Sequence, residues 1–139
     1  MDAVSQLRIS LLPVLRDWEQ ELRREHPDVT TSIYDTPVGS RTDWNGHMIG
    51  IECLLKNSRP DLPDNVALSV SLKHLHTAPS LVDADVVWGH PSGYVEGSIL
   101  PACIEFSRDH LADLIERLPE LFTALNQALR RGRPPDMDE

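Results

Sequence analysis

The sequence predicts a two-layer α+β fold, in which an N-terminal and a C-terminal helix pack on one face of an antiparallel sheet of four to five strands. Apolar residues recur at helical spacing near both ends of the chain, and they alternate with polar residues in the middle. Short turn-forming segments separate the alternating runs. We expect residues 1–132 to form one domain with a single core and residues 133–139 to form a flexible tail.

The N-terminal segment, residues 2–26, carries one apolar stripe with steps of three and four residues. Its members are Val4, Leu7, Leu11, Leu15, Trp18 and Leu22. This spacing places the side chains on one face of an α-helix. Pro13 lies away from the stripe, so we expect it to bend the helix rather than end it. The helix should end at His26, because a residue before proline disfavours the α conformation.

The middle of the chain has the period of two that is typical of β-strands. The candidate strands are residues 29–36, 47–56, 66–76, 85–90 and 94–104. Their short links predict an antiparallel meander, and Asn45-Gly46 suits a type I′ hairpin turn. In the third strand, residues 68, 70 and 72 are apolar while residues 69, 71 and 73 are polar. One face of this sheet is therefore predicted to be covered and the other to face water.

The last segment begins at Ser107, a favourable N-cap, and ends before Gly132. Its apolar stripe consists of Leu111, Leu114, Leu118, Phe122, Leu125 and Leu129. The stripe keeps its phase across Pro119, so a kinked helix is favoured over two separate helices. Packing on the sheet is the favoured use of both stripes. Pairing with a second copy of the chain to form a homodimer is the alternative, through a stripe or a bare strand edge.

The chain is acidic, with a formal net charge of −9. This excess argues against nucleic-acid binding and against attachment to anionic membranes, because both depend on Lys and Arg. Residues 27–120 contain six basic and fourteen acidic residues, a net charge of −8, whereas the terminal segments are nearly neutral. If the protein acts through electrostatics, the sheet region is where its partner is expected to bind.

A cytoplasmic location is expected, because the N-terminus has no basic and apolar leader and no segment is long enough to cross a bilayer. Cys53 and Cys103 both lie in apolar runs. We expect them to be buried free thiols rather than a disulfide.

One candidate metal site comes from His74 and His76, which project to the same face of a strand. His90 is the third predicted ligand, and His47 or the carboxylates of Asp83 and Asp85 could complete the set. The competing interpretation is that these histidines are solvated at the end of a strand.

A candidate binding surface comes from aromatic residues beside turns, namely Trp44, Trp88 and Tyr94. Trp and Tyr are enriched at binding hot spots, although such residues also pair across hairpins for stability alone. Glu96 adds a strand carboxylate to this predicted surface.

The sequence contains no nucleophile elbow, phosphate loop or zinc-protease helix, so we predict no catalytic residues and no cofactor. The leading hypothesis is a non-enzymatic protein-binding module, such as a small acidic chaperone, an immunity-type inhibitor or an adaptor. Its exposed acidic sheet region would receive a basic protein partner. The alternative is a small-molecule or metal-binding protein or enzyme that uses His74, His76 and His90.

Overall fold

A long helix begins the chain, a second helix ends it, and a sheet lies between them. The computed structural model describes residues 2–41, 44–56, 61–73, 80–89, 93–100 and 104–135. Within them the elements are α1 (Ala3–Glu25), β1 (Thr30–Arg41), β2 (Trp44–Leu54), β3 (Asn65–Lys73), β4 (Leu81–Trp88), β5 (Val95–Ser98), β6 (Ile104–Glu105) and α2 (Arg108–Arg131). The strands follow the order β1-β2-β3-β4-β5, each antiparallel to its neighbour, and β6 pairs with β4. The predicted two-layer α+β meander is confirmed.

The caps of α2 and the continuity of both helices are those that the sequence predicts. Ser107 caps α2 by accepting a hydrogen bond from the backbone N–H of His110 at 3.1 Å. Gly132 follows the helix in the left-handed conformation, with φ 77°. Pro13 lies inside α1 and Pro119 lies inside α2, and each helix continues past its proline.

The core lies between the two helices and one face of the sheet. The buried residues of α1 are Leu7, Leu11, Leu15 and Leu22. Those of α2 are four of the predicted stripe residues together with Leu121 and Ala128. The first helix packs on β1 and β2, whereas the second packs on β3, β4 and β5. The two helices meet where the rings of Trp18 and Phe122 stack, with centroids 4.5 Å apart.

Every predicted strand differs from the observed one in at least one boundary, and the Asn45-Gly46 turn is wrong. Asn45 and Gly46 lie within β2, whose first residue, Trp44, pairs with Arg41. Gly46 serves a close approach of strands instead, because a Cβ there would overlap the carbonyl oxygen of Leu72 on β3. The predicted strand 94–104 contains two short strands, and β4 begins at Leu81 rather than at residue 85.

The sequence predicts no membrane-spanning segment and predicts buried free thiols at both cysteines. Among the described residues, neither helix combines the length and the apolar character needed to cross a membrane. Cys53 is a buried free thiol, and burial raises its pKa to about 12. Cys103 lies outside the described residues.

A charged cluster fixes α1 to the first hairpin. The guanidinium of Arg8 donates to the carboxylate of Asp35, from Nε to Oδ2 at 2.7 Å and from a terminal nitrogen to Oδ1 at 3.2 Å. Nε2 of His47, a residue only 7% exposed, also donates to Asp35 Oδ1. These bonds connect the helix, β1 and β2, and the hydrogen bond from Arg8 is the main cause of a lowered pKa at Asp35.

We expect Asp35→Asn to lower the free energy of unfolding by about 1 kcal/mol at neutral pH. Because the folded state lowers the pKa of Asp35, its contribution is present above the ordinary pKa of a carboxyl group and disappears as the pH falls through the lowered value. Urea unfolding as a function of pH measures this difference. The exposed Asp28→Asn is the control, and an equal loss in both variants would contradict the assignment.

Candidate functional site

The sheet face opposite the helices, called here the open face, is not covered by any element that the structure describes. It curves into a groove of about 590 Å³, within the range of about 300–1,000 Å³ that is usual for ligand sites. The groove is lined by Ser32, Tyr34, Met48, Glu52, Asn65, Ala67, Ser69, Ser71, Lys73, Asp83, Asp85, Val87 and Gly89. These residues come from β1, β2, β3 and β4, together with Gly89 just after β4. The groove is therefore made by the sheet itself.

The strand register aligns four of the open-face residues in one row across the sheet. Tyr34 pairs with Gly50, Gly50 with Ser69, and Ser69 with Asp85. We call Tyr34, Gly50, Ser69 and Asp85 the central row. Side chains directly opposite one another on neighbouring strands lie about 5 Å apart. A phenol, a hydroxyl and a carboxyl group thus share the middle of the groove.

Gly50 gives the central row its shape. A Cβ at this position would overlap the Leu68 carbonyl oxygen and would lie 2.8 Å from Cζ of Tyr34. The half-buried phenol therefore lies across Gly50, and its hydroxyl donates to the Leu68 carbonyl oxygen at 3.4 Å. Burial raises the pKa of Tyr34 to about 12, so this phenol is protonated at neutral pH.

The groove holds more negative than positive charge. Its carboxylates are Glu52, Asp83 and Asp85, and its cation is Lys73. The ammonium of Lys73 lies 3.1 Å from the carboxylate of Asp83. Glu52 accepts a hydrogen bond from Asn65 at 3.4 Å, and neither Glu52 nor Asp85 forms an ion pair with a described residue. Two carboxylates of the groove are therefore available to a cation from outside.

Asp85 is the carboxyl group most affected by its surroundings. Burial, followed by the nearby charge of Asp83, raises its pKa to about 6, and Lys73 opposes the rise. A carboxyl group in this position loses hydration without gaining a partner in the described part of the chain. A cation bound beside it would lower its pKa again.

Ser69 places a second polar group in the same row. The residue is only 6% exposed, and its Oγ forms no hydrogen bond with the described residues. The Ser69 hydroxyl lies beside the Tyr34 phenol and lowers the phenol pKa against the larger effect of burial, while the phenol hydroxyl itself donates to the Leu68 carbonyl oxygen. A buried hydroxyl without a partner costs about 1–3 kcal/mol, so the groove contains a polar group that a ligand or water can satisfy.

Apolar side chains border one end of the groove. Leu54 follows Glu52 on the open face and is 44% exposed. Val95 of β5 pairs with Val87 of β4 and is 58% exposed. This end of the sheet therefore adds apolar contact area next to the groove carboxylates.

The structure separates the four residues of the predicted binding surface. Trp88 is fully buried in the core, so its side chain cannot contact a partner. Glu96 is also shielded, with a side chain 7% exposed and paired with Arg131 of α2. Tyr94 is 39% exposed and lies beside Val95 near the apolar end of the groove. Trp44 begins β2, and its side chain lies outside the described part.

The predicted metal ligands His74, His76 and His90 lie outside the described residues. Of the residues that could join them, His47 points to the helix side and pairs with Asp35. Asp83 and Asp85 line the groove. Among the residues that the structure describes, no three His, Cys, Asp or Glu side chains are grouped as a metal site.

Sequence reasoning missed the central row as a unit. The alternation along β3 does place Ser69 and Lys73 on the uncovered face, and Asp83 and Asp85 are two residues apart. The pairing of Tyr34, Gly50 and Ser69 depends on the register of the strands. A hairpin turn would have specified that register, but the predicted turn is in the wrong place.

Comparison with known proteins identifies no relative of this chain. The chain matches no protein-family model, no curated protein and no solved structure. The functional interpretation therefore depends on the groove itself.

We expect Asp85→Asn to raise the free energy of unfolding by about 1 kcal/mol at pH values well above 6, allowing for partial solvation of the side chain. The folded state holds the Asp85 proton more tightly than the unfolded state, so the native protein loses stability as the pH rises through this range. The advantage of the variant should disappear below the ordinary pKa of Asp. Urea unfolding over that pH range measures it, and a destabilised variant above pH 6 would contradict the assignment.

We also expect Gly50→Ala to destabilise the protein by about 1–3 kcal/mol, because the added methyl group overlaps backbone and the Tyr34 ring. Gly93→Ala is the matched control, since nothing lies within 4 Å of a Cβ at that position. Thermal unfolding of both variants makes the comparison. Equal stability of the two would show that Tyr34 does not lie across Gly50.

Proposed function

We propose that this protein is a non-enzymatic protein-binding module whose groove receives a basic segment of a partner protein. The observation that carries the proposal is the pair of groove carboxylates, Glu52 and Asp85, without an ion pair among the described residues. A positively charged segment complements them, and such complementarity increases both the rate and the specificity of association.

The exposed apolar residues favour a protein segment over a small cation. Leu54 and Val95 extend the contact surface beyond the groove at one end. A peptide chain can fill the groove with one basic side chain and still cover these neighbours, whereas a small ligand would leave them exposed. Mixed charged and apolar contacts of this kind are common at protein interfaces.

The chemistry of the groove favours binding over catalysis. The phenol of Tyr34 is held protonated by burial, and the Asp83 carboxylate is paired with Lys73. Glu52 accepts one hydrogen bond, from Asn65, and forms no ion pair with a described residue. The central row therefore supplies hydrogen-bonding groups and a negative charge, which are the elements of a cation-binding surface.

Labelled peptides of alternating Lys and Ser test the proposal against matched peptides of alternating Glu and Ser. We expect only the basic peptide to bind in fluorescence anisotropy, with an affinity that falls as salt rises from about 50 to about 500 mM. The double variant Glu52→Gln/Asp85→Asn should weaken this binding by about tenfold or more at low salt.

The matched control is Asp113→Asn/Glu116→Gln on the exposed surface of α2, which changes the net charge by the same amount. It should alter the affinity by less than about twofold, because exposed charges away from the interface contribute little. Equal losses in the two double variants, or equal binding of the acidic peptide, would overturn the proposed function.

A further inference from the structure

The central row has the composition of a site for one particular kind of side chain. Ser69 provides a hydroxyl that is more than nine-tenths buried and has no hydrogen bond within the described residues. Asp85, directly opposite on β4, provides a carboxylate without an ion pair there. These are independent observations, one of an unsatisfied polar atom and one of an unbalanced charge. Both point to a donor-rich cation.

The acceptors are a hydroxyl and a carboxylate that lie on neighbouring strands. Ser69 and Asp85 are neighbours across the ladder, whereas Asp83, two residues from Asp85 on the same face of β4, is paired with Lys73. A primary ammonium has three rotatable donors and can satisfy acceptors in different directions. A guanidinium is a rigid planar fork that is best matched by coplanar paired acceptors. The arrangement therefore favours lysine over arginine.

Apolar residues next to the central row can contact the methylene groups of a bound lysine side chain. Ala67 and Val87 pair across β3 and β4, one row from Ser69 and Asp85, and both line the groove. The row also leads to the exposed Val95 on β5. A chain of methylene groups can lie along these residues while its charged end reaches the central row.

We propose that the central row of the groove binds the ammonium group of a single lysine side chain of the partner, with Ser69 and Asp85 as the acceptors. This inference rests on the proposed function and narrows it from a basic segment to one anchoring lysine. In the complex, the ammonium donates to Ser69 Oγ and pairs with the ionised Asp85 carboxylate.

The inference includes a defined dependence on pH. The charged or titratable groups that face Asp85 from the described strands are Asp83 on β4, Lys73 on β3, Glu52 on β2 and Tyr34 on β1. Burial and Asp83 make Asp85 protonate at a higher pH than an ordinary carboxyl group. Affinity for the lysine side chain should therefore fall as the pH is lowered through about 6.

The test uses the full chain, labelled with ¹⁵N, and three small probes measured by NMR. The probes are the Nα-acetyl N-methylamides of lysine, arginine and norleucine. We expect saturable shifts at the amides of Ser69 and Asp85 with the lysine probe, binding at least about threefold weaker with arginine, and none with norleucine, since only the ammonium matches the acceptors. The probes act on the unaltered chain, so the test does not depend on the folding of any variant.

Two variants and a control locate the bound ammonium. Asp85→Asn should weaken the lysine probe by about tenfold and remove its pH dependence. Ser69→Ala should weaken it by about threefold through loss of one hydrogen bond. Ser10→Ala, on α1 and outside the groove, should leave the affinity unchanged.

The outcomes separate this inference from the proposed function. In one outcome, Lys/Ser peptides bind through the groove carboxylates while the lysine and norleucine probes give the same result. That outcome would overturn the single anchoring lysine and would leave the proposed protein-binding function intact. Equal affinity for the lysine and arginine probes also overturns the inference. If the lysine probe binds at Ser69 and Asp85 while no basic peptide binds, the proposed protein partner is wrong and the ammonium site stands.

Discussion

The register of the antiparallel ladder is the constraint on which the rest of this structure depends. In β3, Leu68, Val70 and Leu72 are fully buried beneath the helices, and the alternate residues line the open face. The strand is paired on both sides, with β2 and β4. A slip of one residue would send its apolar side chains to water and its polar side chains to the core. The same pairing that makes the core therefore positions the groove.

The groove contains polar groups that reduce the stability of the folded protein and that a bound ligand could satisfy. Asp83 and Asp85 project side by side from β4, and burial raises the pKa of Asp85 to about 6. Ser69 loses its hydration without a partner among the described residues. A face that served only stability would pair or expose such groups. Their position in the middle of an uncovered sheet is typical of a binding site, where groups that lower the stability of the fold are kept because they contact a ligand.

The elements of the fold could be predicted from local pattern. The helix caps at Ser107 and Gly132 depend on neighbouring residues, and the stripes of both helices depend on spacing alone. The Asn45-Gly46 turn was predicted wrongly because Gly46 is required by the close approach of β3. The residues next to Gly46 in the sequence give no sign of that strand. For the same reason, Trp88 resembled a turn aromatic but is a core residue. The central row joins residues from four strands, so only the register could reveal it.

The pKa of the Asp85 carboxyl group tests the central claim most directly. It can be followed by ¹³C NMR titration of the side chain, with and without the Nα-acetyl lysine N-methylamide. We expect a pKa of about 6 in the free protein and a lower pKa when the lysine probe is bound. An ordinary carboxyl pKa in the free protein, unchanged by the probe, would contradict this expectation, because Asp85 would then be neither desolvated nor in contact with a bound cation.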